Sequence, residues 1–149
     1  MPSFTYRHRG WTRYLISEVC AYSRAKPYAL RDPDKDMDRR ALWDTGASCT
    51  VIRKGLADVL GLKPVSVRTV ATSQGKFEAL CYYIDVYLPN GVIVPNLLVV
   101  EAQSDNSWDV LIGMDIIGQG DFAVSNFKGK TTFTFRIPSS SEIDFTENA

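Results

Sequence analysis

The sequence is poor in the residues from which most hydrolytic and metal-dependent sites are built. Its 149 residues include one histidine, His8, and three cysteines without a Cys-x-x-Cys pair. A Ser/His/Asp or Cys/His mechanism would depend on that histidine alone, and a zinc site would lack ligands at the usual spacing. We therefore expect neither a metal nor a cofactor. The cysteines are odd in number and widely spaced, which is typical of small core residues in a reducing compartment: Cys20, Cys49 and Cys81.

The sequence also lacks long apolar runs and net charge. No run approaches the roughly 18 residues of a membrane span, and the N-terminus has no signal-peptide stretch, so we predict a cytoplasmic protein without a membrane partner. The 17 basic residues equal the 17 acidic ones, which argues against a nucleic-acid partner. The balance is uneven along the chain, however, because residues 1–40 are net basic and the remainder is net acidic. The two parts could attract each other within or between chains, although scattered solvated charge is the simpler interpretation.

Short apolar segments separated by turns dominate the chain and predict one mostly β domain. We expect an all-β fold, a small closed barrel with one or two short helices and a flap hairpin. Residues 1–40 would add a strand and a mobile charged loop to the same domain, residues 41–137 would form the core, and residues 138–149 a polar tail. The predicted strands cover 14–22, 41–43, 67–71, 77–88, 91–100, 109–113, 122–125 and 131–137, and short helical turns are expected within 52–60 and 114–118.

Two apparent nucleotide motifs fail on their context. Gly118-Gln-Gly120-Asp-Phe-Ala123 fits a dinucleotide-binding fingerprint, but a strand follows where a helix should begin. Phe127-Lys-Gly-Lys-Thr131 resembles the end of a P-loop, but Val124 stands where the first glycine should be.

A third motif survives this test. Asp44-Thr45-Gly46 ends the apolar segment Ala41-Leu-Trp43 and is followed by the small residues Ala47 and Ser48. Alone, the tripeptide is common and is often an Asp-initiated turn. Here a glycine-tipped hairpin follows about 30 residues later, and a second apolar element ends in glycine at Leu111-Ile112-Gly113.

Together these motifs resemble the retropepsin-like aspartic proteases, the single-lobed relatives of pepsin, over roughly residues 40–137. The resemblance implies that Asp44 is the catalytic aspartate and that Thr45 and Gly46 support its loop. It also implies that Leu111, Ile112 and Gly113 pack beneath that loop, where Gly113 avoids a clash. The implied substrate-binding residues lie beside the aspartate and in the flap: Ala47, Ser48, Thr72, Ser73, Gln74 and Gly75. Members often carry a carboxylate at the position of Ser48, so the subsite preference is open.

The number of Asp-Thr-Gly motifs in the sequence predicts how many chains form one active site. Hydrolysis by an activated water needs two carboxylates, one acting as base and the other as acid. The sequence has one Asp-Thr-Gly and no second Asp-Thr-Gly or Asp-Ser-Gly, so one chain supplies half of the site. We therefore predict an aspartic endopeptidase that acts on polypeptides as a homodimer. The alternative is a non-catalytic, dimeric peptide-binding module on the same fold. In this family the terminal strands usually build the dimer sheet, which here would assign that role to residues 131–137.

Overall fold

The computed structural model describes residues 2–147 and contains two β-sheets. Within residues 2–147, ten strands and two short α-helices follow one another. The strands are β1 (Ser3–Arg7), β2 (Ile16–Ser23), β3 (Arg39–Trp43), β4 (Val51–Arg53), β5 (Ser66–Thr72), β6 (Gly75–Leu88), β7 (Val92–Ala102), β8 (Val110–Ile112), β9 (Asp121–Ser125) and β10 (Thr132–Arg136). The helices are α1 (Leu56–Leu60) and α2 (Met114–Ile117), and single 3₁₀ turns lie at Tyr28–Leu30, Pro89–Gly91 and Phe127–Gly129. The prediction of a mostly β protein with one or two short helices is confirmed.

The larger sheet closes on itself. Its strand order is β2-β3-β8-β4-β7-β6-β5, and an additional pairing of β2 with β6 joins the ends of a ring, leaving β5 outside. The ring encloses a core of apolar side chains whose alternation follows the period of two expected for strands. Its fully buried members include Val19, Ala41, Ile52, Ile84, Val86, Val99, Val110 and Ile112.

The outer face of β6 is also covered. Asp85 and Tyr87 alternate with the core residues Ile84 and Val86, yet they too are buried. The segment between β2 and β3 covers them, because Arg31 donates from Nη1 to Asp85 Oδ2 at 2.9 Å and to the Tyr87 hydroxyl at 3.1 Å. Arg31 and Asp85 are nearly inaccessible, with side-chain exposures of 2% and 5%. This segment was predicted to be a mobile charged loop, but Arg31 anchors it to the ring.

The smaller sheet has the order β1-β10-β9 and packs aromatic side chains against the ring. Phe4, Phe133 and Phe135 are buried there, and the rings of Phe4 and Phe135 lie 5.5 and 5.3 Å from that of Trp43. Strand β1 was not predicted from the sequence. The expected terminal strand at 131–137 is present as β10, but it has no free edge, because it pairs with β1 on one side and with β9 on the other.

Two single residues, Gly61 and Pro95, have backbone properties that account for where they lie in the fold. Gly61 ends α1 with φ +68°, a left-handed conformation that glycine adopts without strain. Pro95 lies at an irregularity of pairing between β6 and β7, where a residue without a donor N–H is tolerated, and β7 itself is an interior strand. In residues 2–147, no helix is long and apolar enough to cross a membrane.

Candidate active site

The loop that carries Asp44 begins where β3 leaves the ring. β3 runs parallel to β8, with Trp43 opposite Ile112, and the Asp44 N–H continues the ladder by donating to the Ile112 carbonyl at 2.9 Å. Trp43 is held from the other side, because its Nε1–H donates to Ser17 Oγ at 2.9 Å in the buried core. The backbone of Asp44 is therefore fixed by a closed sheet.

The carboxylate of Asp44 is turned back over its own loop. Its Oδ1 accepts the Gly46 N–H at 2.8 Å, and its carbonyl accepts the Ala47 N–H at 3.2 Å. A Cβ at Gly46 would lie only 3.2 Å from Oδ1, so glycine permits this approach. Asp44 is half-buried, whereas Thr45, Gly46 and Ser48 are exposed. The geometry is an Asp-initiated turn, and it also holds one carboxylate oxygen in place at the surface of the chain.

The far side of the loop packs against the glycine that follows β8. The Met114 N–H donates to the Ala47 carbonyl at 2.8 Å. A Cβ at Gly113 would lie 2.6 Å from both the carbonyl carbon and the carbonyl oxygen of Cys49. Such a contact is with backbone, which cannot rotate away, so the loop can approach α2 this closely only over glycine. Ile112 is buried beneath the loop and Leu111 is half-buried.

A carboxylate in the first turn of α2 completes this support, and sequence reasoning gave it no role. Asp115 Oδ1 accepts the Thr50 hydroxyl at 2.7 Å, and Oδ2 accepts the Thr50 N–H at 2.8 Å. Thr50 Oγ1 in turn accepts the Gly113 N–H at 3.2 Å. Asp115 thus joins the end of the Asp44 loop to the helix. The available signal was the acidic residue two positions after Gly113, within the segment that carries the resemblance.

The predicted flap is present as the hairpin of β5 and β6. Thr72 pairs with Gly75, whose φ is +124°, and Ser73 and Gln74 form the exposed tip. The turn is stabilised by the Gln74 N–H donating to Thr72 Oγ1 at 3.2 Å. Among the described residues no hydrogen bond joins this tip to the Asp44 loop. The structure therefore brings the four flap residues together and the loop residues together, as two separate groups.

Comparison with known proteins assigns this arrangement to a class. The chain belongs to the family described as “gag-polyprotein putative aspartyl protease”, whose model matches residues 35–119. Comparison with curated proteins finds no significant sequence match.

Solved structures of two proteases align with this chain. A retropepsin-like aspartic protease from Rickettsia conorii aligns with a TM-score of 0.56 and 17% identity, covering 89% of this chain and 92% of that one. The protease of EIAV, solved with the inhibitor HBY-793, aligns with a TM-score of 0.48 and 15% identity, over 71% of this chain and 86% of that one. The alignment with the Rickettsia conorii structure shows that the protein has the retropepsin-like fold.

Proposed function

We propose that this protein is an aspartic endopeptidase whose catalytic dyad is formed by Asp44 of two identical chains. The observation that carries the proposal is the position of Asp44: it is half-buried at the end of a closed sheet, with Oδ1 fixed by the Gly46 N–H at 2.8 Å. The flanking loop is exposed and carries no second acidic residue of the same motif. A second copy related by a two-fold axis supplies the missing carboxylate.

The chemistry follows from bringing two carboxyl groups together. Two such groups about 3 Å apart cannot both ionise readily, so they share one proton and titrate as a pair. The ionised group accepts a proton from water as its oxygen attacks the peptide carbonyl carbon, and the protonated group donates to the carbonyl oxygen. Breakdown of the tetrahedral intermediate releases the amine after it receives a proton. The acidic and basic roles are therefore both met by Asp44.

The flap and the loop provide the binding surface for an extended peptide. Main-chain groups at Thr72–Gly75 would pair with the substrate backbone after the hairpin closes over it. Ala47 and Ser48 would line the opposite wall. Exposed apolar side chains lie on both faces of the hairpin, Val67 on one and Phe77 on the other, so whichever face closes over the peptide would offer it an apolar contact.

The test is cleavage of a peptide library between about pH 4 and pH 7, the range over which a shared-proton dyad can be tuned. Wild-type protein is compared with Asp44→Asn, which keeps the oxygen that accepts the Gly46 N–H. Asp34→Asn is the matched control, since Asp34 is exposed and lies outside the motif, in the segment before β3. We expect cleavage by the wild type and the control, its loss in Asp44→Asn, and inhibition by a statine-type transition-state mimic. Peptide binding without cleavage at every pH would instead identify a binding module.

A further inference from the structure

One end of the smaller sheet is rich in basic and aromatic residues. Strands β1 and β9 end there and β10 begins there, because Arg7 and Ser125 both pair with Thr132. The chain at this end consists of residues 7–14 and 125–131, which together we call the basic-aromatic face. These two segments contain no aspartate and no glutamate. They are far apart in sequence, so only the folded chain brings them together.

A buried threonine holds the two segments in place. The Thr131 carbonyl accepts the His8 N–H at 2.9 Å, and the Thr131 N–H donates to the Gly10 carbonyl at 3.1 Å. Its Oγ1 accepts the Thr12 N–H at 3.0 Å and donates to Asn126 Oδ1 at 2.7 Å. Thr131 is almost inaccessible. Because these bonds fix both segments within the chain, a partner that binds there does not have to order them first.

The cations of the basic-aromatic face form no salt bridge with any residue from 2 to 147. They are five exposed residues: Arg7, Arg9, Arg13, Lys128 and Lys130. The acidic residue whose main chain is bonded to this end is Glu18, whose N–H donates to the Tyr6 hydroxyl at 3.1 Å. The equal totals of basic and acidic residues predicted no nucleic-acid partner, but the folded chain gathers positive charge locally. Uncompensated charge of this kind attracts a polyanion.

The large apolar side chains of this face are aromatic rings. Trp11, Tyr14 and Phe127 are 64, 63 and 76% exposed, so most of each ring is accessible. The Arg13 guanidinium lies 5.6 Å from the Trp11 ring centroid, and Lys128 Nζ lies 5.3 Å from that of Phe127. The two segments contain no leucine, isoleucine, valine or methionine. Rings beside cations, without aliphatic side chains, favour stacking on nucleobases over insertion among lipid chains.

We propose that the basic-aromatic face binds single-stranded nucleic acid without sequence specificity. The five cations contact backbone phosphates, and the three exposed rings stack on unpaired bases. A single strand fits this face better than a duplex, because the bases of a duplex are stacked on one another and offer no free surface to a ring. No residue of the face belongs to the proposed catalytic site, so the proposal does not rest on the proposed function.

Fluorescence anisotropy with a labelled oligo(dT) tests the proposal. A strand of about 20 nucleotides is longer than the roughly 4–16 nucleotides of a typical site. We expect a dissociation constant of about 1–100 μM at physiological salt, rising more than about tenfold between about 0.05 and 0.2 M salt. The same strand annealed to its complement should bind more weakly. Equal or tighter binding of the duplex, or no binding of the single strand at about 1 mM protein, would overturn the proposal.

A pair of phenylalanine variants tests the stacking. Phe127→Ala should raise the dissociation constant for oligo(dT) at least about fivefold, because one ring is lost. Phe145→Ala is the matched control, since Phe145 is 83% exposed in the tail, outside the face. It should change the constant by less than about twofold. An unchanged constant in Phe127→Ala would overturn the assignment of this ring to base stacking.

A pair of double variants separates local charge from net charge. Lys128→Gln combined with Lys130→Gln should weaken binding and reduce the steepness of its salt dependence, because two phosphate contacts are lost. Lys35→Gln combined with Lys63→Gln removes the same net charge from exposed lysines outside the face and should have little effect. Equal weakening by both pairs would show that only net charge matters and would overturn the proposal. Circular dichroism and ultracentrifugation show that all variants keep the wild-type fold and oligomeric state.

Two further measurements place the result. Sedimentation with phosphatidylserine vesicles tests the membrane alternative: vesicle binding that depends on Phe127, without oligo(dT) binding, would replace nucleic acid by an anionic lipid surface. Asp44→Asn should bind oligo(dT) as the wild type does. Loss of peptide cleavage in that variant, with oligo(dT) binding unchanged, would show that the two functions use separate sites, whereas loss of both would overturn the independence of the basic-aromatic face.

Discussion

The two sheets of this protein differ in how they end. The larger sheet closes through the pairing of β2 with β6, whereas the smaller one stops at β9 with main-chain groups unpaired. Closure removes exposed edges, which otherwise attract other strands. The closed sheet fixes the backbone of Asp44, whereas the smaller sheet keeps an open edge at β9.

Two carboxylates of the closed sheet, Asp85 and Asp44, differ in how fully their oxygens are hydrogen-bonded and in how exposed they are. Asp85 is 3% exposed, and both of its oxygens have partners, since Oδ2 accepts from Arg31 and Oδ1 accepts the Asn96 N–H at 2.9 Å. Asp44 has one oxygen held by its own loop and lies at an accessible surface. A fully satisfied buried carboxylate is structural, whereas a partly satisfied accessible one is free to react.

The largest effect on stability is expected from removing the cation that covers the ring. Arg31→Met leaves Asp85 buried without its counter-ion, which should cost about 3–5 kcal/mol of unfolding free energy. Arg24→Met is the control, because Arg24 is an exposed arginine of the same segment. It should change stability by no more than about 0.5 kcal/mol. Urea unfolding measures the unfolding free energy of both variants. Equal losses of stability would show that Arg31 does not anchor the segment to the ring.

A smaller effect is expected at the support beneath the Asp44 loop. Asp115→Ala removes the acceptor of both the Thr50 hydroxyl and the Thr50 N–H, and should cost about 2–3 kcal/mol because these groups are left buried. Asp115→Asn keeps one acceptor oxygen and should recover part of the loss. If the support positions Asp44, turnover under conditions where both variants are folded should fall in the same order, with KM changing less than kcat. Stability changes with unaltered turnover would reduce Asp115 to a purely structural role.

The ion pair of Asp109 and Arg53, which joins the starts of β3 and β8 to the end of β4, should give a pH-dependent contribution to stability. Burial of Asp109 acts to raise its pKa, but the Arg40 N–H and the Arg53 guanidinium, at 2.9 and 2.6 Å, outweigh it and leave the pKa below its usual range. A lowered folded-state pKa stabilises the protein above the unfolded value of about 3.9, and this stability is lost as the pH falls through the folded-state value.

Asp109→Asn should therefore cost about 1–2 kcal/mol near neutral pH and progressively less in acid. Urea unfolding as a function of pH measures the difference. Asp34→Asn serves as the exposed control. A cost independent of pH would mean that packing, and not charge, accounts for the contribution.

Local patterns in the sequence predicted the parts of the fold that depend on neighbouring residues. The hairpin of β5 and β6, the glycine that ends α1 and the strand before Asp44 each carry their signal within a few positions. Strand β1 lacks such a signal, because it is five residues long and its partner Thr134 lies 129 positions from Thr5. Burial of Arg31 could not be predicted for the same reason, since Asp85 is 54 positions away and the surrounding segment is highly charged.

Some features of the candidate site could likewise be predicted from local motifs, whereas others depend on contacts between distant positions. Asp44 and Gly113 stand in recognisable motifs, whereas the bond between Thr50 and Asp115 spans 65 positions and has no sequence signature of its own. The edge at β9 depends on which strands pair, and pairing is a property of the folded chain. The sequence left open whether the basic residues 1–40 and the acidic remainder attract each other within one chain or between chains. The ion pair of Arg31 and Asp85 shows one such contact within a chain.

The central claim is that each active site takes one Asp44 from each of two chains. It is tested most directly by refolding mixtures of wild-type and Asp44→Asn chains at a fixed total concentration that keeps the protein dimeric. If the dyad is shared, only dimers of two wild-type chains are active, so an equal mixture should retain about a quarter of the wild-type activity. Retention of about half, in proportion to the wild-type fraction, would show that each chain acts alone and would contradict the account.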